Sequence, residues 1–121
     1  MNDQEIEKEI VAKGKTAPRV TVEHILSTVA SEHYFTAGDG FAGAAALTAK
    51  EGDIISAPES LDLLTFCVLV LKNGFTVTGE SACASPENFD AGIGRNIAKQ
   101  NAVNKIWLLE GYLLKQRLSE Q

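Results

Sequence analysis

An Asn73-Gly74 pair between two apolar runs is the feature that most limits what this chain can fold into. Asn-Gly is the preferred centre of a type I′ turn, because both residues tolerate a positive φ, and such a turn joins neighbouring antiparallel strands. The pattern therefore predicts a β-hairpin whose strands run from Leu63 to Leu71 and from Phe75 to Ala82.

The period of two along a strand assigns the side chains of this hairpin to two faces. If Lys72 faces Phe75 across the turn, one face is apolar and forms the core; it carries Phe66, Val68, Val70, Phe75, Val77 and Gly79. The opposite face is mixed and carries Cys67, Leu69, Leu71, Thr76, Thr78 and Glu80. Either this mixed face is a half-buried edge that faces water, or its apolar half lies under another element or subunit while Thr78 and Glu80 line a polar cleft.

A long helix is predicted to follow the hairpin, capped by Ser85 or by Asn88 and extending toward Leu118. At 100° per residue its apolar positions form two stripes on nearly opposite sides. The first stripe holds Phe89, Ile93 and Ile97, and the second holds Ala102, Ile106, Leu109 and Leu113. Either the helix is broken or kinked at one of its glycines, Gly92, Gly94 or Gly111, or its halves are buried against different partners. We favour the latter, because a homodimer or higher oligomer would supply the second surface.

The region before the hairpin is predicted to be mainly helical. Asn2 or Asp3 caps a charged helix that runs to about Ala12. A second amphipathic helix spans residues 21 to about 30, an extended piece closed by a turn occupies 31–40, and a helix of small residues runs from 42 to about 50. The predicted fold class is α+β, with an antiparallel β-hairpin or small sheet packed on a long C-terminal helix. We assign 1–60 to a helical N-terminal extension and 61–121 to the hairpin and long helix, together one compact domain.

Charge and hydropathy argue against several functional classes. The net charge of −5 opposes nonspecific binding to duplex nucleic acid or to an acidic membrane surface. The longest apolar stretch is well short of the roughly 18 residues of a membrane span, and the acidic N-terminus lacks the features of a signal peptide. Two cysteines with no histidine pair nearby do not form a zinc pattern. We therefore expect a cytosolic protein that requires no cofactor.

The best candidate site lies at the start of the long helix. Gly92 and Gly94 each cost up to about 1 kcal/mol relative to alanine inside a helix, which is easier to explain if a ligand or another backbone comes close there. On the same side as Gly92 lie Asn88, Arg95 and Lys99, a polar and basic stripe at a helix N-terminus, which favours anions. A solvated helix face is the alternative explanation for this stripe.

The residues from Thr65 to Cys83, continued by Pro86 to Asp90, Asn101-Ala102 and Lys105 to Trp107, resemble a family of small tailed-phage and prophage proteins. The segment from Glu32 to Ala37 is similar to an N-terminal extension found in longer members. The family is in turn similar to anti-Thoeris sponge proteins, which bind cyclic ADP-ribose-type signals made by bacterial TIR-domain immune proteins and hold them without cleaving them. Some such sponges also bind cyclic oligonucleotides at a separate, arginine-bearing site and assemble as dimers or higher oligomers.

The resemblance implies a non-catalytic counter-defence protein that acts in the cytoplasm of the infected bacterium. It implies that Thr78 and Asn88 touch the nucleotide and that Lys105 stands at the second site. Thr78 is small where a stacking aromatic residue is expected. Lys105 cannot make the two-pronged phosphate contact of an arginine. Both differences from the expected residues affect which ligand the site would bind.

The chemistry of a nucleotide indicates further candidates. Asn88, Arg95 and the helix N-terminus suit phosphates, and an aromatic side chain suits a base. The complete set of candidate ligand-binding residues is Thr78, Glu80, Asn88, Phe89, Arg95, Lys99, Lys105, Tyr34 and Phe75.

Two other functions compete with sequestration. An enzyme would need Ser81 or Cys83 as the nucleophile and His33 or His24 as the base, but neither histidine lies in a recognisable motif, so we expect no catalysis. The closer competitor is a phage accessory module that binds a host protein and no nucleotide. Its docking element would be the N-terminal helix, in which three glutamates flank two isoleucines: Glu5, Glu7, Glu9, Ile6 and Ile10.

Overall fold

A three-stranded antiparallel sheet packed against a long helix is the centre of the fold in the computed structural model, which describes residues 2–121. In chain order the elements are α1 (Asp3–Ala12), α2 (Val22–Ser27), β1 (Val29–Thr36), α3 (Ala37–Thr48), β2 (Leu64–Leu71), β3 (Thr76–Ala82) and α4 (Ala91–Ser119). The strand order is β1-β2-β3, and α4 packs on β2 and β3. The predicted α+β class is confirmed. Met1, where the assigned N-terminal extension begins, lies outside the described residues.

The first two helices begin at the residues that the sequence indicates. The side chain of Asn2 accepts a hydrogen bond from the backbone N–H of Glu5 and caps α1, and Thr21 caps α2 in the same way. The prediction that the second helix reaches Ala30 was wrong, because α2 ends at Ser27 and the chain then enters β1. The extended piece predicted over 31–40 forms β1 up to Thr36, which adds a strand to the predicted hairpin.

The turn predicted at the end of that extended piece was wrong. The Gly38-Asp39-Gly40 segment forms the first turn of α3, which Thr36 caps. The hydroxyl of Thr36 accepts from the Asp39 N–H at 3.1 Å, and the Asp39 carboxylate accepts from the Thr36 N–H at 3.0 Å. This capping box satisfies two backbone donors, so the glycines that follow do not prevent the helix from starting.

The predicted hairpin is present, but its predicted register was wrong by one residue. The loop has three residues, because the N–H of Leu71 bonds to the carbonyl of Phe75 and only Gly74, at φ 89°, has a positive φ. A three-residue loop with a left-handed glycine replaces the type I′ turn. Leu69 therefore pairs with Val77, and Val68 pairs with Thr78. The slip of one residue places each side chain of β3 on the other face relative to the side chains of β2.

The core face consequently combines the β2 half of the predicted mixed face with the β3 half of the predicted apolar face. Its side chains come from the sheet and from the middle of α4, with one contribution from α2: Cys67, Leu69, Leu71, Val77, Ala98, Ala102, Val103, Ile106 and Ile25. The predicted core residues Phe66, Val68 and Val70 lie on the opposite face and are half-buried, beside the exposed Thr78 and Glu80. A half-buried face that borders water is therefore present, but its β2 side chains are Phe66, Val68 and Val70 instead of Cys67, Leu69 and Leu71.

The long helix starts later than predicted and is continuous. Neither Ser85 nor Asn88 caps it; the side chain of Asp90 does so by accepting from the N–H of Ile93 at 2.9 Å. The alternative of a broken helix was wrong, since α4 runs without interruption for 29 residues. The stripe predicted for its first half is exposed, with 61% of Ile93 and 47% of Ile97 accessible.

Two glycines allow α4 to lie close to the sheet. A methyl group on Gly79 of β3 would fall on the α4 backbone at Ala98 and Ala102. A methyl group on Gly94 would come within 3.1 Å of the Thr65 hydroxyl in β2. The close approach inferred for Gly94 is thus made by a side chain of the sheet in the same chain.

Within residues 2–121, no helix combines the length and the apolar character needed to cross a bilayer.

Candidate functional site

Four segments meet at the end of the sheet opposite the hairpin loop. The end of β1 lies beside the start of β2, where Thr36 pairs with Thr65. The end of β3 lies on the other side of β2, where the N–H of Cys83 bonds to the carbonyl of Leu63. The chain then turns through Pro86–Asn88 and enters α4, so the start of α4 lies at this same end.

Two adjoining grooves lie at this corner, and Thr65 and Phe89 line both of them. The arginine groove, about 100 Å³, is lined by Tyr34, Phe35, Thr36, Asp39, Thr65, Phe89, Ala91 and Arg95. The asparagine groove, about 140 Å³, includes Asn88, Phe89, Asp90, Ile93 and Ile97 in its lining. Four of the predicted site residues are therefore brought together here: Tyr34, Asn88, Phe89 and Arg95.

The cationic group of this corner is Arg95. Within residues 2–121 no ion pair joins its guanidinium to a carboxylate. The first turn of α4 is less suited to an anion than the sequence indicated, because the carboxylate of Asp90 already accepts from the N–H of Ile93. An anion in the arginine groove would therefore depend on the guanidinium more than on the helix terminus.

Lys99 belongs to a different set of contacts. Its ammonium lies 2.9 Å from the carboxylate of Glu32 on β1, and this contact lowers the pKa of Glu32. The Tyr34 hydroxyl donates to the same carboxylate at 3.2 Å. Burial raises the pKa of Tyr34 above its usual value, so this phenol stays protonated as a donor. Glu32 therefore compensates the charge of Lys99, which the sequence placed in a stripe that favours anions.

Thr78 and Glu80 of β3 lie away from the two grooves, and Lys105 of α4 lies beside Thr78. The ammonium of Lys105 is 3.5 Å from the hydroxyl of Thr78, and the amide of Asn101 donates to the Glu80 carbonyl at 2.8 Å. Thr78 is thus placed with Lys105 and not with Asn88 within one chain. These contacts attach α4 to β3, which is an edge strand of the sheet.

Comparison with known proteins places this chain in a family. A profile of the phage protein (N4 Gp49/phage Sf6 gene 66) family matches residues 20–118. The chain belongs to this phage protein family. The resemblance to phage proteins is confirmed at that level. No curated protein and no solved structure matches the chain.

The region matched by the family includes the whole sheet and almost all of α4, so both grooves belong to the family domain. α1 precedes the matched region. Phe75, at the hairpin loop, also lies in the family domain and is 57% exposed. The length of β2, at 3.3 Å per residue, places Phe75 roughly 23 Å from Phe89, so these two rings do not contact one base within one chain.

Sequence reasoning missed several residues that line the grooves. Thr36 and Asp39 could have been found from the Thr-x-x-Asp spacing before a helix, which is a variant of the capping-box signature. Thr65 carries no such signal, because it reads as one more β-branched residue of a buried strand. Its position at the groove follows from the strand register alone.

Proposed function

We propose that this phage protein binds a cyclic ADP-ribose-type nucleotide and holds it intact, and so counteracts an antibacteriophage signal in the cytoplasm of the infected host. The observation that supports this function best is the convergence of Tyr34, Asn88, Phe89 and Arg95 on two adjoining grooves. A guanidinium is a strong phosphate ligand. The aromatic rings offer a flat surface to a base, and the amide supplies both a donor and an acceptor.

The proposal includes a second copy of the chain. The two grooves have volumes of about 100 and 140 Å³, whereas sites for small molecules usually occupy about 300 Å³ or more. Ile93 and Ile97 border the asparagine groove and are exposed. Burial of this stripe against a second copy would both enclose the nucleotide and remove an apolar surface from water. Cyclic oligonucleotides remain a second ligand class under this proposal.

Sequestration requires no nucleophile or base, and the side chains considered for catalysis have other contacts. The thiol of Cys83 donates to the Ser85 carbonyl at 3.1 Å. His24 lies 3.0 Å from the Glu110 carboxylate, and His33 lies 3.0 Å from the hydroxyl of Ser31. We therefore propose binding without turnover. The competing function, docking to a host protein through the N-terminal helix, has less support because Ile6 and Ile10 line a groove of their own chain.

The double substitution Asn88→Ala with Arg95→Ala should abolish retention of the nucleotide. Loss of a hydrogen bond to a charged group costs about 1.5–3 kcal/mol, so we expect at least a hundredfold weaker binding from the pair. Native mass spectrometry would measure retention of the ligand and calorimetry its affinity, with cyclic ADP-ribose isomers and cyclic di- and trinucleotides as the panel. Arg117→Ala, at the far end of the same helix, is the matched control and should bind as the parent does.

Three results would count against the proposal in different ways. Unchanged affinity in the double variant would remove the corner as the site. Failure of the parent protein to retain any member of the panel would remove the nucleotide function. Recovery of the ligand in hydrolysed form after prolonged incubation would show turnover instead of sequestration.

A further inference from the structure

α1 rests on the α2 and α4 surface through a small set of contacts. Its first turn accepts one hydrogen bond from the domain, from the indole N–H of Trp107 to Asp3 at 3.2 Å. Its middle is held by Arg19, whose guanidinium donates to both carboxylate oxygens of Glu7, at 2.7 and 2.5 Å. No residue of α1 is buried.

Open clefts lie on both sides of the contact between Asp3 and Trp107. A cleft of about 270 Å³ lies between the first turn of α1, α2 and α4, and one of about 410 Å³ lies beside the rest of α1. Asp3, Val22 and Trp107 line both clefts. Both clefts are open to solvent, so α1 leaves part of the apolar surface next to it uncovered. Its contact with the domain is therefore incomplete.

The segment that joins α1 to the domain is suited to movement of the helix as a unit. Residues 13–18 are all exposed, and Gly14 has a φ of 69°. Helices shorter than about 12 residues gain little stability on their own in water. α1 has 10 residues, so its order depends on the contacts with the domain. The family match begins at residue 20, after this segment.

We propose that α1 is a reversibly docked strap, which covers an apolar groove of its own chain and leaves it without unfolding of the family domain. The groove is lined by side chains from the segment before α2, from α2 and from α4: Val20, Val22, Ile25, Leu26, Val103 and Trp107. In the docked state Ile6 and Ile10 lie over it. Opening presents a surface shaped for an amphipathic helix, and α1 is the helix that keeps it closed. This inference does not depend on the proposed nucleotide function.

Glu7→Gln in the full chain tests the strap. The substitution removes the ion pair with Arg19 but keeps the shape of the side chain. Amide hydrogen exchange should show α1 exchanging at least a hundredfold faster than the middle of α4 in the parent, and about fivefold faster again in the variant. Trp107 is the single tryptophan, so its fluorescence should shift to longer wavelength as α1 leaves. Exchange in α4 should not change.

Glu9→Gln is the matched control. Glu9 is on the same helix and pairs at 2.8 Å with Lys13, the residue that follows the helix, and not with the domain. The Glu9→Gln variant should show the same tryptophan emission as the parent. The proposal is overturned if α1 and α4 exchange together at one rate, which indicates global unfolding only. It is equally overturned if Glu9→Gln accelerates α1 as much as Glu7→Gln, which indicates fraying of the helix without release from the groove.

Discussion

Replacement of Gly79 with alanine is expected to lower the free energy of unfolding by about 2–3 kcal/mol, as overpacking of a filled core does. A methyl group at this position would overlap the carbonyl oxygen of Ala98 and the nitrogen of Ala102. Both are backbone atoms of a helix, so neither can move without displacement of α4 from β3. Urea denaturation followed by circular dichroism would measure the loss as a lower midpoint at an unchanged slope.

Gly111→Ala is the control for that experiment. Gly111 is in α4 as well, and a methyl group there would meet no atom within 4 Å. Alanine is favoured over glycine in a helix by up to about 1 kcal/mol, so this variant should unfold at a slightly higher urea concentration. If Gly79→Ala unfolds at the midpoint of the parent, α4 does not lie against β3 at this glycine.

Leu69→Ala is expected to lower the free energy of unfolding by about 3 kcal/mol, within the usual range for truncation of a fully buried leucine. Leu69 is completely shielded from solvent at the centre of β2, between Val77 of β3 and α4. Alanine would leave a cavity that the three-stranded sheet and the helix cannot close. The same denaturation experiment measures the effect.

Val68→Ala is the comparison that tests the register. Val68 is the next residue along β2, but its side chain lies on the opposite face and is only half-buried. Val68→Ala should lower the free energy of unfolding by less than half as much as Leu69→Ala does. The reverse order would restore the register of a two-residue type I′ turn, in which Val68 faces the core and Leu69 does not.

In the hairpin, the local sequence predicts the strands but not their register. Two apolar runs around Asn73-Gly74 predict paired strands, and the strands are present. The loop length differs by one residue, because Asn73 keeps a negative φ and Gly74 alone takes the left-handed region. That choice depends on whether Leu69 or Val68 packs better against α4. The preference is therefore decided outside the hairpin, and no short-range pattern reports it.

The candidate site was predictable only where its residues are close in sequence. Asn88, Phe89 and Arg95 are close in sequence, so their proximity follows from the start of α4. Tyr34 joins them only because β1 pairs with β2 and brings residues from a distant part of the chain to the corner. Lys99 looked available from the sequence, but Glu32 on β1 compensates its charge. Partners from another strand cannot be read from helix periodicity.

The sequence by itself determined where most helices and strands form, because caps, apolar periodicity and turn residues act within a few positions of the chain. It also determined the family, through residues 20–118. Only the tertiary structure decided which face of the sheet is the core, that Gly79 of β3 faces α4 and Gly94 of α4 faces β2, and that α1 lies over a groove on its own chain. These outcomes depend on the fit between surfaces that are distant in sequence. The free energy of burying one face or the other differs only once α4 is in place.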